Sequence, residues 1–161
     1  MLMLKFKQYL DDHRVKYVTI RHSPAFTAQE IAASAYIPGR SLAKTVMVKL
    51  DQAMAMVVLP ASEMVDFDLL KRLTGAKRAE FATEQEFGDM FPGCESGAMP
   101  PFGNLYGMKV FASMELAKER QIAFNAGSYR ELIRLPYFDF IHLVRPTLTH
   151  LVADEVMTTA R

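Results

Sequence analysis

A chain of 161 residues, half of them apolar and 23% charged, has the size and make-up of one folded soluble domain with a sizeable core. Nineteen basic residues against eighteen acidic ones leave a formal charge of +1. That argues against a protein that wraps nucleic acid as a broad duplex binder, but it permits a pocket that grips one end of an RNA; no DNA partner is expected.

Residues 3–13 place Phe6, Leu10 and His13 near helical spacing, so a first helix is expected there. Asp11 and Asp12 arrive too early for this segment to be a signal peptide. A short strand follows at 17–21 and is broken by His22-Ser23-Pro24. Thr27 and Glu30 have the spacing of a capping box opening a helix over 28–36, which Pro38-Gly39 ends. Two strands, 43–50 and 53–59, are joined by a tight Asp51-Gln52 turn, and the second is apolar on both faces, as a central strand is. The apolar run 53–60 is the longest in the chain; its eight residues fall far short of the about 20 of a membrane span. Asp66 or Asp68 caps a short helix to Thr74, closed by Gly75.

A strand is expected at 78–81, then a second capping box from Thr83 to Glu86 opening a short helix to Met90. Residues 92–103 hold three glycines and three prolines in twelve positions, a density that no regular element survives. Strand 108–112, helix 114–119, strand 121–125, a turn at Ala126-Gly127 and strand 129–135 follow. Pro136 opens a last helix over 137–144, and residues 146–161 add a loose helix. The irregular alternation predicts an α+β fold, a single domain with a mixed sheet.

Four features carry candidate chemistry. The loop Gly93–Gly103 combines glycines, which let backbone amides approach a ligand, with prolines, which fix their direction; it suits an oxyanion cradle and equally a structural loop without ligand. Lys44 heads an apolar strand and either enters a cleft to meet a phosphate or carboxyl oxygen or faces water at an edge, with Lys49 competing for the same role. Asn125-Ala126-Gly127-Ser128 offers amide, hydroxyl and backbone donors that turn chemistry alone also explains. Lys71, Arg72, Lys77 and Arg78 flank the Gly75 turn, as a solvated face or as contacts to an RNA backbone.

The four histidines have no metal-ligand spacing, and the single Cys94 makes neither a zinc site nor an internal disulfide, so no metal is expected. A lone cysteine fits a reducing compartment, which makes a cytoplasmic location the expectation. Glu95 beside Cys94 disfavours a thiolate, so an inert cysteine is expected.

Four stretches, in order, resemble the YbaK/prolyl-tRNA-synthetase-associated domain family: His22-Ser23-Pro24-Ala25-Phe26-Thr27, Leu42-Ala43-Lys44-Thr45, Gly97-Ala98-Met99-Pro100-Pro101-Phe102-Gly103, and Phe124-Asn125-Ala126-Gly127-Ser128. The resemblance spans about 1–145 and leaves 146–161 as a tail outside it. It implies a mixed, partly barrel-like sheet flanked by helices. It also implies a free-standing trans-editing hydrolase that cleaves the ester of a mischarged aminoacyl-tRNA, carrying a small amino acid on the tRNA for proline. The partners implied are the tRNA acceptor end and prolyl-tRNA synthetase, with no cofactor and no membrane. A non-catalytic module binding tRNA ends or aminoacyl groups is the alternative, and retention of both Lys44 and the whole loop argues against it.

By the same resemblance, Lys44 corresponds to the family's functional lysine, and Gly97-Ala98-Met99-Pro100-Pro101 to its GxxxP loop. Tyr129 stands where some relatives have histidine. The expected division of labour has the amides of Gly97 and Ala98 on the ester carbonyl oxygen and Lys44 on the terminal adenosine's phosphate or the carbonyl. Met99, Pro100, Pro101, Asn125, Gly127 and Ser128 line the substrate, and the substrate's own ribose hydroxyl orients water. An aminoacyl ester is already activated, so positioning and oxyanion stabilisation suffice without a nucleophile.

Overall fold

The computed structural model describes residues 2–22 and 37–150. The expected capping box at Thr27 and helix 28–36 lie outside the described residues, as does most of the first motif, from Ser23 onward.

Helix α1 (Leu2–Asp12) turns Phe6 and Leu10 inward, one helical turn apart, and leads through Val15 into strand β1 (Val18–Arg21). Strands β2 (Ala43–Leu50) and β3 (Ala53–Pro60) form the expected hairpin, with Leu50 opposite Ala53. Asp51 takes the left-handed turn conformation (φ 57°), which short polar side chains tolerate. Its carboxylate also accepts from the amides of Lys77 (3.0 Å) and Arg78 (2.9 Å), so the same residue places β4 (Ala79–Phe81) beside β2. Helix α2 (Phe67–Thr74) connects β3 to β4 along the chain, capped by Asp66 and closed by Gly75 in the left-handed conformation.

The second capping box forms, Thr83 with Glu86, but helix α3 (Glu84–Phe87) gives way to a 3-10 turn over Gly88–Met90. Gly88 weakens the helix and Pro92 bars its continuation. The expected helix at 114–119 is likewise a 3-10 turn, Met114–Lys118, because only seven residues separate β5 (Lys109–Ser113) from β6 (Gln121–Asn125). Strand β7 starts two residues later than expected (Glu131–Pro136); the Ser128 hydroxyl accepts from the Arg130 amide and holds 128–130 in a turn. Pro136 both ends β7 and caps helix α4 (Tyr137–Val144).

The loose helix expected over 146–161 is not what the described part shows. Thr147–Thr149 is strand β8, parallel to β5, because Pro146 disfavours helix for its predecessor and two β-branched threonines favour a strand. Residues 151–161 lie outside the described ones.

Two sheets result, β1-β7-β6 and β4-β2-β3-β5-β8, with β3 at the centre of the larger one as its two apolar faces predicted. A single parallel bridge, Leu42 opposite Ala123, joins them, with the Ala123 amide donating to Ser41 at 2.9 Å. The ladder stops there, so among the described residues the sheets make a seam and no closed barrel. No helix among the described residues is long and apolar enough to cross a membrane.

The largest core cluster centres on Phe102, fully buried, with ring centroids 4.8 Å from Phe6, 5.9 Å from Phe124 and 6.0 Å from Phe140. Next to it, a Cβ on Gly103 would come within 2.9 Å of both Met108 Cγ and Val110 Cγ2 and 3.3 Å of Met56 Cβ. Gly103→Ala is therefore expected to overpack the core by about 1–3 kcal/mol, a fall in Tm of about 2–12 °C in thermal unfolding. An unchanged Tm would show that the core gives way there freely.

Candidate functional site at the seam of the two sheets

The Leu42–Ala123 bridge sets the register of what lies beyond it. Two residues further along each of these parallel segments stand Lys44 on β2 and Asn125 on β6, which strand alternation puts on the same face as the bridge pair. The floor beneath is the buried cluster Leu42, Ala61, Ala123 and Leu132, with Ile20, Ile37 and Tyr129 packed against it. Further along that face of β2, Val46 and Val48 pack with Leu70 and Phe111 in another cluster. Lys44 thus rises between two apolar clusters, half-buried, and burial pulls its ammonium below the usual lysine range while the Glu63 carboxylate acts the other way.

Among the described residues Lys44 makes no hydrogen bond and no ion pair. Lys49 is different: it pairs with Glu86 at 2.5 Å. Asn125 presents a buried side-chain oxygen with no hydrogen-bond partner among the described residues. A buried acceptor left empty costs free energy unless something fills it.

The loop after Phe91 is stitched to the turn that follows β6. The Glu95 amide donates to the Gly127 carbonyl (2.9 Å), and the Gly127 amide donates to the Ala98 carbonyl (2.7 Å). The Glu95 carboxylate accepts from the Tyr129 amide (3.3 Å), and the Tyr129 hydroxyl donates to the Ser96 carbonyl. Gly97 is held at φ 85°, and a Cβ there would overlap that hydroxyl. Gly97 and Asn125-Gly127-Ser128 therefore belong to one assembly, reached from two distant parts of the chain.

The expected site residues divide. Gly97 is exposed, and its amide has no intramolecular acceptor among the described residues. Ala98 is fully buried and its amide donates to Glu95 at 3.0 Å, because the left-handed Gly97 closes a turn from 95 to 98. The expectation of two free amides thus reduces to one. Met99 points into the main core cluster and lines a cavity of about 120 Å³ with Phe87, Phe91, Cys94, Glu95 and Ser96. Pro100 and Pro101 are buried, and they brace the loop ahead of Phe102.

Burial and the neighbouring Glu95 push the Cys94 thiol up to about 11, so it is not a thiolate near neutral pH. Among the described residues no group of three or more His, Cys, Asp or Glu side chains is placed to hold a metal ion.

Two of the basic residues near Gly75, Lys77 and Arg78, are not brought to Lys44. The amides of Lys77 and Arg78 are tied to Asp51, at the opposite end of β2, about 20 Å away at the usual rise of a strand. Arg78 approaches Glu80 and Lys71 approaches Asp68, each at 3.4 Å, while Arg72 and Lys77 are exposed.

One ionisable group at the seam escaped the sequence reading. Glu63 sits just past β3, its amide donating to Pro60 (3.0 Å), and Pro60 is paired with Ala43 beside Lys44. The antiparallel register of the hairpin was the available signal: it returns the end of β3 to the start of β2.

The model of the aminoacyl-tRNA editing domain family matches residues 22–143. The multifunctional Ser/Thr-tRNA deacylase ProXp-y of Escherichia coli (strain K12) is 33% identical over 97 residues, which cover 59% of this chain and 57% of that protein. The match therefore spans little more than half of that relative's length. Among solved structures, a candidate trans-editing enzyme for prolyl tRNA synthetase superposes with a TM-score of 0.79 at 18% identity, over 94% of this chain and 97% of the other. The hypothetical protein APE2540 superposes with a TM-score of 0.81 at 17% identity, over 91% and 98%. At these identities the two structures show a shared fold.

Proposed function

This chain belongs to the aminoacyl-tRNA editing domain family, and from that premise we propose that it hydrolyses the ester of a mischarged aminoacyl-tRNA in the cytoplasm, acting in trans. The observation that supports this most lies at the seam: beyond the Leu42–Ala123 bridge, and among the described residues, a half-buried lysine has no ion pair and a buried amide oxygen has no donor. Both suit a polar ligand, and no described residue fills either.

In this reading Lys44 holds the phosphate or carbonyl oxygen of the aminoacylated end. The Asn125 oxygen accepts from a ribose hydroxyl, and the Gly127-Ser128 turn sits against the terminal nucleotide. The Gly97 amide faces the ester carbonyl, where negative charge develops as water adds to the carbon. The bond from that carbon to the ribose oxygen then breaks. The ribose oxygen takes a proton, and the products are the free amino acid and intact tRNA. No enzyme nucleophile is needed, in keeping with a Cys94 thiol held near 11.

The relative's name joins serine and threonine to the expectation of small substrates on the tRNA for proline. A panel of tRNAs charged with serine, threonine, alanine, cysteine or phenylalanine tests it. The small esters are expected to be cleaved, with little separation among those differing by one methylene, for which about 1–3 kcal/mol is available. A preference for phenylalanine would overturn the small-pocket reading.

The separation of Lys44 from the Gly75 turn bears on how the RNA is held. If Lys44 and two or three of Lys71, Arg72, Lys77 and Arg78 neutralise phosphates, log affinity falls against log salt with a slope of about −2 to −3; Lys44 alone gives about −1. With Lys77 and Arg78 tied to Asp51 about 20 Å from Lys44, the slope nearer −1 is expected, and joint charge reversal, K77E with R78E, leaves affinity within about twofold. Weaker binding with a flatter slope would put the Gly75 face on the RNA.

A further inference from the structure

Any substrate of the reaction proposed above carries a cationic ammonium on the carbon next to its ester carbonyl. Lys44, Asn125 and the Gly97 amide offer that group no negative charge. Glu63 does. The β-turn from Pro60 to Glu63 folds the chain back at the Lys44 end of the hairpin, where Leu59 pairs with Lys44. One carboxylate oxygen of Glu63, Oε2, is buried and has no hydrogen-bond partner among the described residues.

The charges around Glu63 are otherwise committed or too far to satisfy it. Lys118 is paired with Glu115 at 2.6 Å. Lys44 feels the Glu63 charge without forming an ion pair with it. Burial, together with repulsion from Glu115, raises the Glu63 carboxyl above its usual range, against the smaller pull of Lys118 and Lys44. A carboxylate left in that position is destabilised until a donor arrives, and a cationic donor relieves it most. A carboxylate and an ammonium that feel each other without pairing suit a ligand that is positive at one end and oxygen-rich at the other. An aminoacyl ester is such a ligand.

We propose that Glu63 holds the α-ammonium of the aminoacyl ester and so restricts the site to esters of unblocked amino acids. The inference rests on the deacylase reading for its substrate class. It adds that N-acylated tRNAs, such as formylated or peptidyl forms, are poor ligands, because acylation removes the charge and adds bulk beside a buried carboxylate.

The test uses two ligands that cannot be hydrolysed: 3′-deoxy-3′-(L-serylamino)adenosine, whose linkage is an amide, and its N-acetyl derivative. Isothermal calorimetry on the full chain is expected to give affinity about tenfold or more tighter for the unblocked compound. Glu63→Gln is expected to weaken the unblocked compound about tenfold and to change the acetylated one less than about twofold, bringing the two together. Equal affinities in the wild-type protein, binding of neither compound, or a preference that survives Glu63→Gln would each overturn the proposal. The wild-type comparison needs no variant, so it stands even if Glu63→Gln fails to fold. Deacylation of mischarged tRNA reports separately: turnover without amine preference removes the role of Glu63 and keeps the activity, while amine preference without turnover keeps the role and removes the activity.

Discussion

Lys44→Ala is expected to slow deacylation about 30- to 1000-fold, equivalent to about 2–4 kcal/mol of transition-state stabilisation, with the fold intact. The expectation follows from where the ammonium sits. It rises between two apolar clusters and, among the described residues, is tied to no carboxylate, so its charge is available to the substrate. Lys49, five residues along the same strand, already spends its charge on Glu86, and Lys49→Ala is not expected to reproduce the loss.

The pH dependence has a definite sign. The pKa of Lys44 in the folded protein lies below the ordinary lysine value of 10.5, so the charge is lost earlier than for an exposed lysine. Enzyme-dependent turnover, corrected for the spontaneous hydrolysis of the ester, should fall on the alkaline side as pH rises through that lowered pKa. Stability moves the other way. Between the folded pKa and 10.5 the unfolded chain binds more protons, so the fold gains stability as pH rises there. Lys44→Met should lose that gain and keep or raise Tm while losing activity. A variant that loses Tm and activity together would make Lys44 a structural residue.

Gly97→Val is expected to lower turnover about 100-fold. Two costs combine. A residue with a Cβ is strained by about 1–2 kcal/mol at φ 85°, and that Cβ overlaps the Tyr129 hydroxyl, so the loop must move off the turn it is bonded to. Once it moves, the Gly97 amide no longer points where it did. The two costs separate in Gly97→Ala made with and without Tyr129→Phe. Removing the hydroxyl relieves the overlap and should recover part of the turnover, while the strain at positive φ persists. Full activity in Gly97→Val would place the oxyanion donor elsewhere.

Elements governed by neighbouring residues were legible in the sequence. The Asp51-Gln52 hairpin, the Asp66 cap with Gly75, the Thr83–Glu86 box and the doubly apolar β3 all follow from local rules, and all appear where those rules put them. What depended on tertiary contact was less accessible. Helix lengths at 84–90 and 114–118 came out short, because a few residues between a glycine or a strand and the next breaker leave no room for α-helical turns. The β8 strand draws its stability from pairing with β5, about which Thr147–Thr149 alone says little.

The site shows the same division. Lys44, the glycine loop and the Asn125–Ser128 turn were visible as residue types in unusual places. Their assembly was not, since it rests on bonds from Glu95 and Ala98 to Gly127 and from Tyr129 to Ser96, across some thirty positions. Nor could composition tell that the Ala98 amide is used within the loop, or that Glu63 returns to Lys44 with an unfilled oxygen.

The account is tested most directly by single-turnover deacylation of tRNA for proline mischarged with serine or alanine, with wild-type protein in excess and Lys44→Met beside it. The predicted result is rapid release of free amino acid and intact tRNA by the wild-type chain, and release close to the buffer rate by the variant. Wild-type release no faster than buffer, or equal rates for the two proteins, would contradict it.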